Sequence, residues 1–246
     1  MISVCMATFN GERYLKEQLD SILSQLGDED ELIVSDDGSS DKTQEIIHAY
    51  EDKRIRFFHN QRKGIANNFE NALSQARGDF IFLADQDDVW LAGKLDKMVE
   101  FLEKESLDVA MCNCALVDQE LNIIKSPHFD SEWPMKRTLL SNLYKNAWLG
   151  CCMVLRSSVL KATMPFPKGL VAHDLWLALY AQWHFRTGYM DEVLVLYRRH
   201  DNTVSFTGSV STNSLSFKLK YRLHLLYHLI GRSLKNSFSG PVIKYG

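Results

Sequence analysis

Three carboxylates stand together in Asp85-Gln86-Asp87-Asp88, directly after the apolar run Phe80-Ile81-Phe82-Leu83-Ala84. Carboxylates gathered at the end of a buried strand repel one another, and desolvation adds to the cost. A hard divalent cation removes that cost, and Mg²⁺ sites combine one or two carboxylates with substrate phosphates. The segment therefore reads as a metal and diphosphate site at the carboxyl end of a strand, where open α/β sheets bind ligands. Taken alone, such a run is more often a solvated turn, so the elements around it carry the argument.

Those elements alternate. Ile2 to Ala7 is an apolar run that reads as a first strand, followed by the turn Thr8-Phe9-Asn10-Gly11. Leu15, Leu19, Ile22, Leu23 and Leu26 then fall at helical spacing. Glu31 to Ser35 is a second strand, and Asp36-Asp37-Gly38-Ser39-Ser40-Asp41 is a loop rich in helix-capping residues. Ile55 to Phe58 is a third strand, Gly64 to Arg77 a helix, and Gly78-Asp79 turns into the strand that delivers Asp85. Alternation of this kind predicts a parallel α/β sheet. Right-handed crossovers bring the loops Thr8 to Gly11, Asp36 to Asp41 and Asp85 to Asp88 to one edge.

Beyond Asp88 the spacing predicts a helix over Lys94 to Glu105, a strand over Val109 to Val117 and irregular chain from Asp130 to Asn142. Gly150 to Leu155 reads as a strand. A helix opens at His173-Asp174-Leu175-Trp176 and runs to about Gly188, and Val193 to Tyr197 is a strand followed by Arg198-Arg199-His200.

The chain of 246 residues is long enough for a large core, and its 46% hydrophobic and 24% charged composition is that of a soluble globular protein. No apolar run approaches the roughly 18 residues that span a bilayer. The N-terminus reads as a strand, not a signal peptide. Five cysteines at spacings that suit no zinc module read as free buried thiols in a reducing cytoplasm. From Asn202 onward there are six basic residues and no acidic one, which sets this tail at +6 and the rest at −9, for a total of −3. In it Leu215, Leu219, Leu223, Leu226 and Ile230 recur at helical spacing. Such a helix either docks on the body or lies on an anionic membrane.

Together these blocks resemble the family 2 glycosyltransferases of the GT-A fold. Val4 to Glu12 is similar to the family's opening strand and Thr-Tyr-Asn turn, and Ile33 to Thr43 to its Val-Asp-Asp-Gly-Ser-x-Asp-x-Thr loop. Gly78 to Asp88 is similar to its Asp-x-Asp segment, and His173 to Trp176 with Tyr197 to His200 to its acid motif and closing Arg/His motif. The Asp-Gln-Asp-Asp-Val-Trp variant and the His-Asp-x-Trp block resemble the rhamnosyltransferase-like branch.

The resemblance implies a GT-A domain over 1–205, with a nucleotide-sugar half (1–105) and an acceptor half (106–205), and a basic helical tail over 206–246. It implies nucleotide-sugar contacts from Thr8, Asn10, Glu12, Asp36, Asp37, Asn68, Asp85, Gln86, Asp88 and Arg199. Asp37 would accept from a pyrimidine N3–H. Asp87 and His200 would hold Mg²⁺ or Mn²⁺, with His200 and Arg199 near the diphosphate. Asp174 would be the general base, and Trp148, Gly150 and His173 would face the acceptor. The implied donor is dTDP-rhamnose or a UDP-hexose. The implied acceptor is a glycan or lipid-linked hydroxyl in bacterial surface polysaccharide synthesis, in the cytoplasm or on the inner membrane face.

Other readings of the same residues stay open. Asp36 and Asp37 could cap the following helix, and Asp174 could be a first-turn acid favoured by the helix dipole. Trp90 and Trp176 read as core, with Trp148 the exception that could stack on a sugar. Cys151 and Cys152 read as packing. A nucleotidyl- or phosphotransferase could use the same acidic edge, and a non-catalytic nucleotide-sugar-binding or membrane-scaffold protein could keep it. No recognition motif points to nucleic acid.

Overall fold

The computed structural model describes residues 1–131, 138–200 and 214–238. It opens with β1 (Ile2–Thr8), α1 (Leu15–Leu23), β2 (Glu31–Asp36), α2 (Thr43–His48), β3 (Ile55–His59), α3 (Ile65–Ser74) and β4 (Phe80–Asp85). These four strands lie side by side in the order β3-β2-β1-β4, all parallel. A parallel sheet covered on both faces favours continuous apolar strands, and every residue of β2 is buried. Glu31 tolerates this because it accepts from Ser3 Oγ at 2.6 Å and pairs with Arg56. α1 covers the sheet with Leu15, Leu19, Ile22 and Leu23, the residues its spacing predicts.

The chain continues through β5 (Val89–Trp90), α4 (Lys94–Lys104), β6 (Val109–Val117), β7 (Ile123–Lys125), α5 (Leu139–Tyr144), a 3₁₀ turn (Gly150–Cys152), β8 (Met153–Arg156), α6 (Ser157–Thr163), α7 (His173–His184), β9 (Thr187–Arg198) and α8 (Leu215–Phe238). The sheet becomes mixed here. β8 pairs antiparallel with both β4 and β6, β9 runs parallel to β6, and β5 returns antiparallel on β9.

Four expectations change. The stretch expected to be irregular up to Asn142 contains α5, because Thr138 caps it by accepting from Ser141 N–H at 3.2 Å. The helix from His173 stops at His184, and the final strand begins early, at Thr187. Gly150–Cys152 is a helical turn, not part of a strand. The expected domain boundary at 205/206 lies outside the described residues.

α8 docks on the body with Leu225 and Leu229, both essentially inaccessible. Arg222 donates to the Leu143 and Tyr144 carbonyls at the end of α5, and Arg232 donates to the Ala162 and Met164 carbonyls at the end of α6. The spacing Leu219, Leu223 and Ile230 had marked a different face, and that face stays exposed.

Candidate functional site

Sheet register brings the predicted loops together. Thr8 pairs with Asp36 across β1 and β2, and Ala7 pairs with Asp85 across β1 and β4. The strands therefore end abreast, and the acidic run spans the gap between β4 and β5.

The first two loops are bound to each other. Asn10 N–H donates to Ser39 Oγ (2.9 Å) and its Oδ1 accepts from Ser40 N–H (2.8 Å). Glu12 accepts from Lys42 N–H at 2.9 Å, and Gly11 N–H donates to Thr43 Oγ1 at 2.7 Å. Thr8 Oγ1 donates to Asp36 Oδ1 at 3.0 Å. Asp36 also accepts from Gly38 N–H (3.0 Å), Ser39 N–H (2.8 Å) and Gln44 Nε2 (2.9 Å). Burial raises its pKa, but these bonds hold the carboxyl below the usual carboxylate range. Asp36 is thus spent on shaping the loop, and it does not cap α2, where Asp41 accepts from Thr43 N–H at 2.9 Å.

Asp37 is aimed by that loop. Its carboxylate accepts from Asn60 Nδ2 (2.8 Å) and Gly64 N–H (2.9 Å). Asn68 donates to the Thr8 carbonyl at 3.0 Å, and its buried Oδ1 has no partner. Gln86 pairs with the Phe9 backbone in both directions, accepting from N–H at 2.8 Å and donating to C=O at 3.0 Å. Thr8, Asn10, Glu12, Asp36 and Gln86 thus tie the two loops and the acidic run to one another through their side chains. A methyl group on Gly11 would sit 2.3 Å from Gln86 Oε1. We expect Gly11→Ala to displace the flexible end of Gln86 and cost its two bonds to the Phe9 backbone, about 1–2 kcal/mol, read as a lower melting temperature.

The carboxylates beyond form a second group. Asp87 Oδ2 lies 2.7 Å from His200 Nε2. Asp88 is inaccessible, accepts from Arg198 N–H at 3.0 Å through Oδ1, and has no partner for Oδ2. Burial, then Asp87 and Asp85, push its pKa well up. Burial, then Asp87 and Asp174, push Asp85 up to about 7, against the opposing charge of Lys94. Asp85 and Asp88 carboxylate oxygens and Cys151 Sγ lie within 4.8 Å of one another. A crowd of mutually repelling carboxylates with an orphaned buried oxygen suits a divalent cation.

Two buried cations stand beside this group, and Lys94 offsets part of its charge. Lys94 is inaccessible, donates to the Cys151 carbonyl at 2.6 Å and lies 3.5 Å over the Trp90 ring. Arg198 is equally buried. It donates to the Asp87 carbonyl at 2.8 Å, to the Gln119 carbonyl and to Glu17, and its guanidinium lies 4.5 Å over Tyr14. Strand alternation turns Arg198 toward the Asp87 carbonyl, while Arg199 lies 5.8 Å from Tyr197 and close to His128. Lys94 carries no signal in the sequence that marks it as a site residue.

Asp174 lies in the first turn of α7, half-buried. Burial pushes its pKa to about 6, against N–H bonds from Leu175 and from Asn146. It is close enough to Asp85 for its charge to help raise that group's pKa. His173 stacks on Phe69 with ring centroids 3.8 Å apart, and burial lowers its pKa to about 3, so it is neutral. Gly150 packs against both: a methyl group there would sit 3.1 Å from His173 Nε2 and 3.6 Å from Asp174 Cβ. Trp148 is fully buried against Tyr189, so its ring offers no face to a sugar and the stacking expectation is withdrawn. All five cysteines are free and buried, as expected.

Comparison with known proteins adds a match of residues 3–162 to the family described as Glycosyl transferase family 2. UDP-Glc:alpha-D-GlcNAc-diphosphoundecaprenol beta-1,3-glucosyltransferase WfgD of Escherichia coli is 30% identical over 168 residues, 68% of this chain and 64% of that protein. The GalNAc(5)-diNAcBac-PP-undecaprenol beta-1,3-glucosyltransferase of Campylobacter jejuni is 30% identical over 248 residues, 96% of this chain and 74% of that one. The crystal structure of S. aureus TarS 1–349 in complex with UDP superposes with a TM-score of 0.64 at 25% identity, covering 80% of this chain and 60% of TarS 1–349. The chain thus spans just under two thirds of the E. coli relative's length.

Proposed function

The chain belongs to glycosyl transferase family 2 and has a GT-A-like α/β fold, and from that premise we propose that it is an inverting glycosyltransferase of bacterial surface glycan synthesis. The observation that carries this is Asp174, a carboxylate with its pKa raised to about 6, set across from the acidic run that would receive the donor. As the acceptor oxygen bonds to the anomeric carbon, its proton passes to Asp174. The anomeric C–O bond breaks and the electron pair leaves with the nucleoside diphosphate. A single displacement inverts the configuration and needs no second carboxylate nucleophile.

Asp37 would read the base, and Asp85 the ribose or donor sugar. Asp87 and His200 would hold Mg²⁺ or Mn²⁺, with Asp88 behind them. When bound, that ion would neutralise charge on the leaving diphosphate. Gly150 and His173 would line the acceptor side, in the 106–205 half. The names of the E. coli and S. aureus proteins favour a UDP-sugar over dTDP-rhamnose. The undecaprenol-linked substrates in the relatives' names favour a lipid-linked acceptor, and hence work at the inner membrane face.

A thermal-shift panel of UDP-, dTDP-, GDP- and CDP-sugars with and without Mn²⁺ tests the donor side. A ligand at 100 times its dissociation constant stabilises by about 2.7 kcal/mol. We expect a Mn²⁺-dependent shift with UDP-sugars that disappears in Asp87→Ala. The absence of any shift with every nucleotide would refute the reading.

A further inference from the structure

The outward face of α8 is apolar. Leu219, Leu223, Tyr227, Ile230 and Leu234 are all exposed, Tyr227 by 73%. At about 100° per residue they fall within an arc of roughly 80°. Arg222 and Arg232, which the sequence would place among the charges of a basic helix, are turned to the carbonyls that end α5 and α6. Tyr144 sits under Arg222, its ring 4.8 Å from the guanidinium, and it and Leu140 one turn earlier are exposed beside α8.

Around this stripe the charge has one sign. From Leu139 to Met190, which covers α5, α6 and α7, Asp174 is the only acidic residue. None occurs in α8. Lys161 on α6 and Lys220 and Lys235 on α8 are exposed, as are Lys145 just after α5 and Lys168 in the loop between α6 and α7.

We infer that α8 is the membrane-seating surface of this protein, its stripe buried in the interface of an anionic phospholipid bilayer. The combination of an apolar stripe, interfacial tyrosines and a lysine rim is what an in-plane helix needs. A second copy fits worse, since a two-fold pair through this stripe would set lysine rims against each other. No helix among the described residues is long and apolar enough to cross a membrane, so the contact is in-plane.

The opposite face of α8 ties the seat to the site. Tyr221 Oη accepts N–H bonds from Val171 (3.1 Å) and Ala172 (3.0 Å), the residues just before His173-Asp174. A bilayer fixed against the stripe therefore has a fixed position relative to the candidate base. This inference rests on the lipid-linked acceptor reading, but its test reads vesicle binding alone, so it can fail while the transferase reading stands.

The experiment is co-sedimentation with phosphatidylcholine vesicles, with and without about one third phosphatidylglycerol. The wild type should bind the anionic vesicles and not the neutral ones. Leu223→Ser with Tyr227→Ser and Ile230→Ser changes only exposed side chains and should weaken binding about tenfold or more. Its UDP-dependent thermal shift should be unchanged. A wild type that binds neither vesicle, a triple variant that binds as well as wild type, or a wild-type dimer dissolved by the triple variant would overturn the assignment.

Discussion

Replacing Asp174 with asparagine is expected to lower turnover by about 10³-fold, within the 10²–10⁴ range of a general base, while leaving the protein at least as stable as wild type. The oxygen of asparagine still accepts the 2.7 Å bond from Leu175 N–H, so the helix start keeps its geometry. The proton acceptor is gone. Burial raises the Asp174 pKa to about 6 in the fold, above its unfolded value near 3.9. A raised carboxylate pKa means the charged form is disfavoured by folding. Ionisation therefore lowers stability as pH rises from about 4 to 6. Asparagine removes that cost above pH 6 and gains nothing below pH 4. Differential scanning calorimetry at two pH values reads the sign. The wild-type rate should fall about tenfold per pH unit below 6. Asn146→Ala, which removes a donor to the carboxylate, should move that limb upward. A full-rate Asp174→Asn would remove the base from the mechanism.

Much of this site was legible because strand ends are set by apolar runs. Thr8, Asp36 and Asp85 follow such runs, and parallel pairing puts them abreast. What the sequence hid depends on distant partners. That Asp36 shapes its loop depends on Thr8, Ser39 and Gln44 together. Gln86 is occupied by the Phe9 backbone, 77 positions away. Trp148 is buried against Tyr189 on β9. The face choice between Arg198 and Arg199 turns on strand parity, and β9 carries register irregularities opposite Cys112 to Cys114 that make parity uncountable from spacing. α8 misled differently, because apolar residues lie on both of its sides. Periodicity alone did not say that Leu225 and Leu229, not Leu219 and Leu223, face the body.

Arg198→Leu is expected to lower the melting temperature by about 10 °C and to abolish nucleotide binding. Removing one partner of a buried charge group costs about 3–5 kcal/mol, and a chain of this size loses roughly 2–4 °C per kcal/mol. Arg198 is 1% exposed, and its guanidinium joins Asp87 on the acidic run, Gln119 after β6, and Glu17 and Tyr14 at the start of α1. Few side chains hold so many distant segments. Glu17 is 54% exposed, so Glu17→Gln should cost under about 1 kcal/mol and serve as the control. Arg198→Lys separates charge from shape. It keeps a cation near Glu17 and the Asp87 carbonyl but cannot reproduce the planar fork that reaches several carbonyls at once. If Arg198→Lys recovers the melting temperature but not the UDP-dependent shift, the fork positions Asp87 for its ligand. If both recover, the positive charge alone is the whole of its role. A stable, nucleotide-binding Arg198→Leu would show that the guanidinium is not needed to hold these segments together, and Arg198 would then drop out of the site.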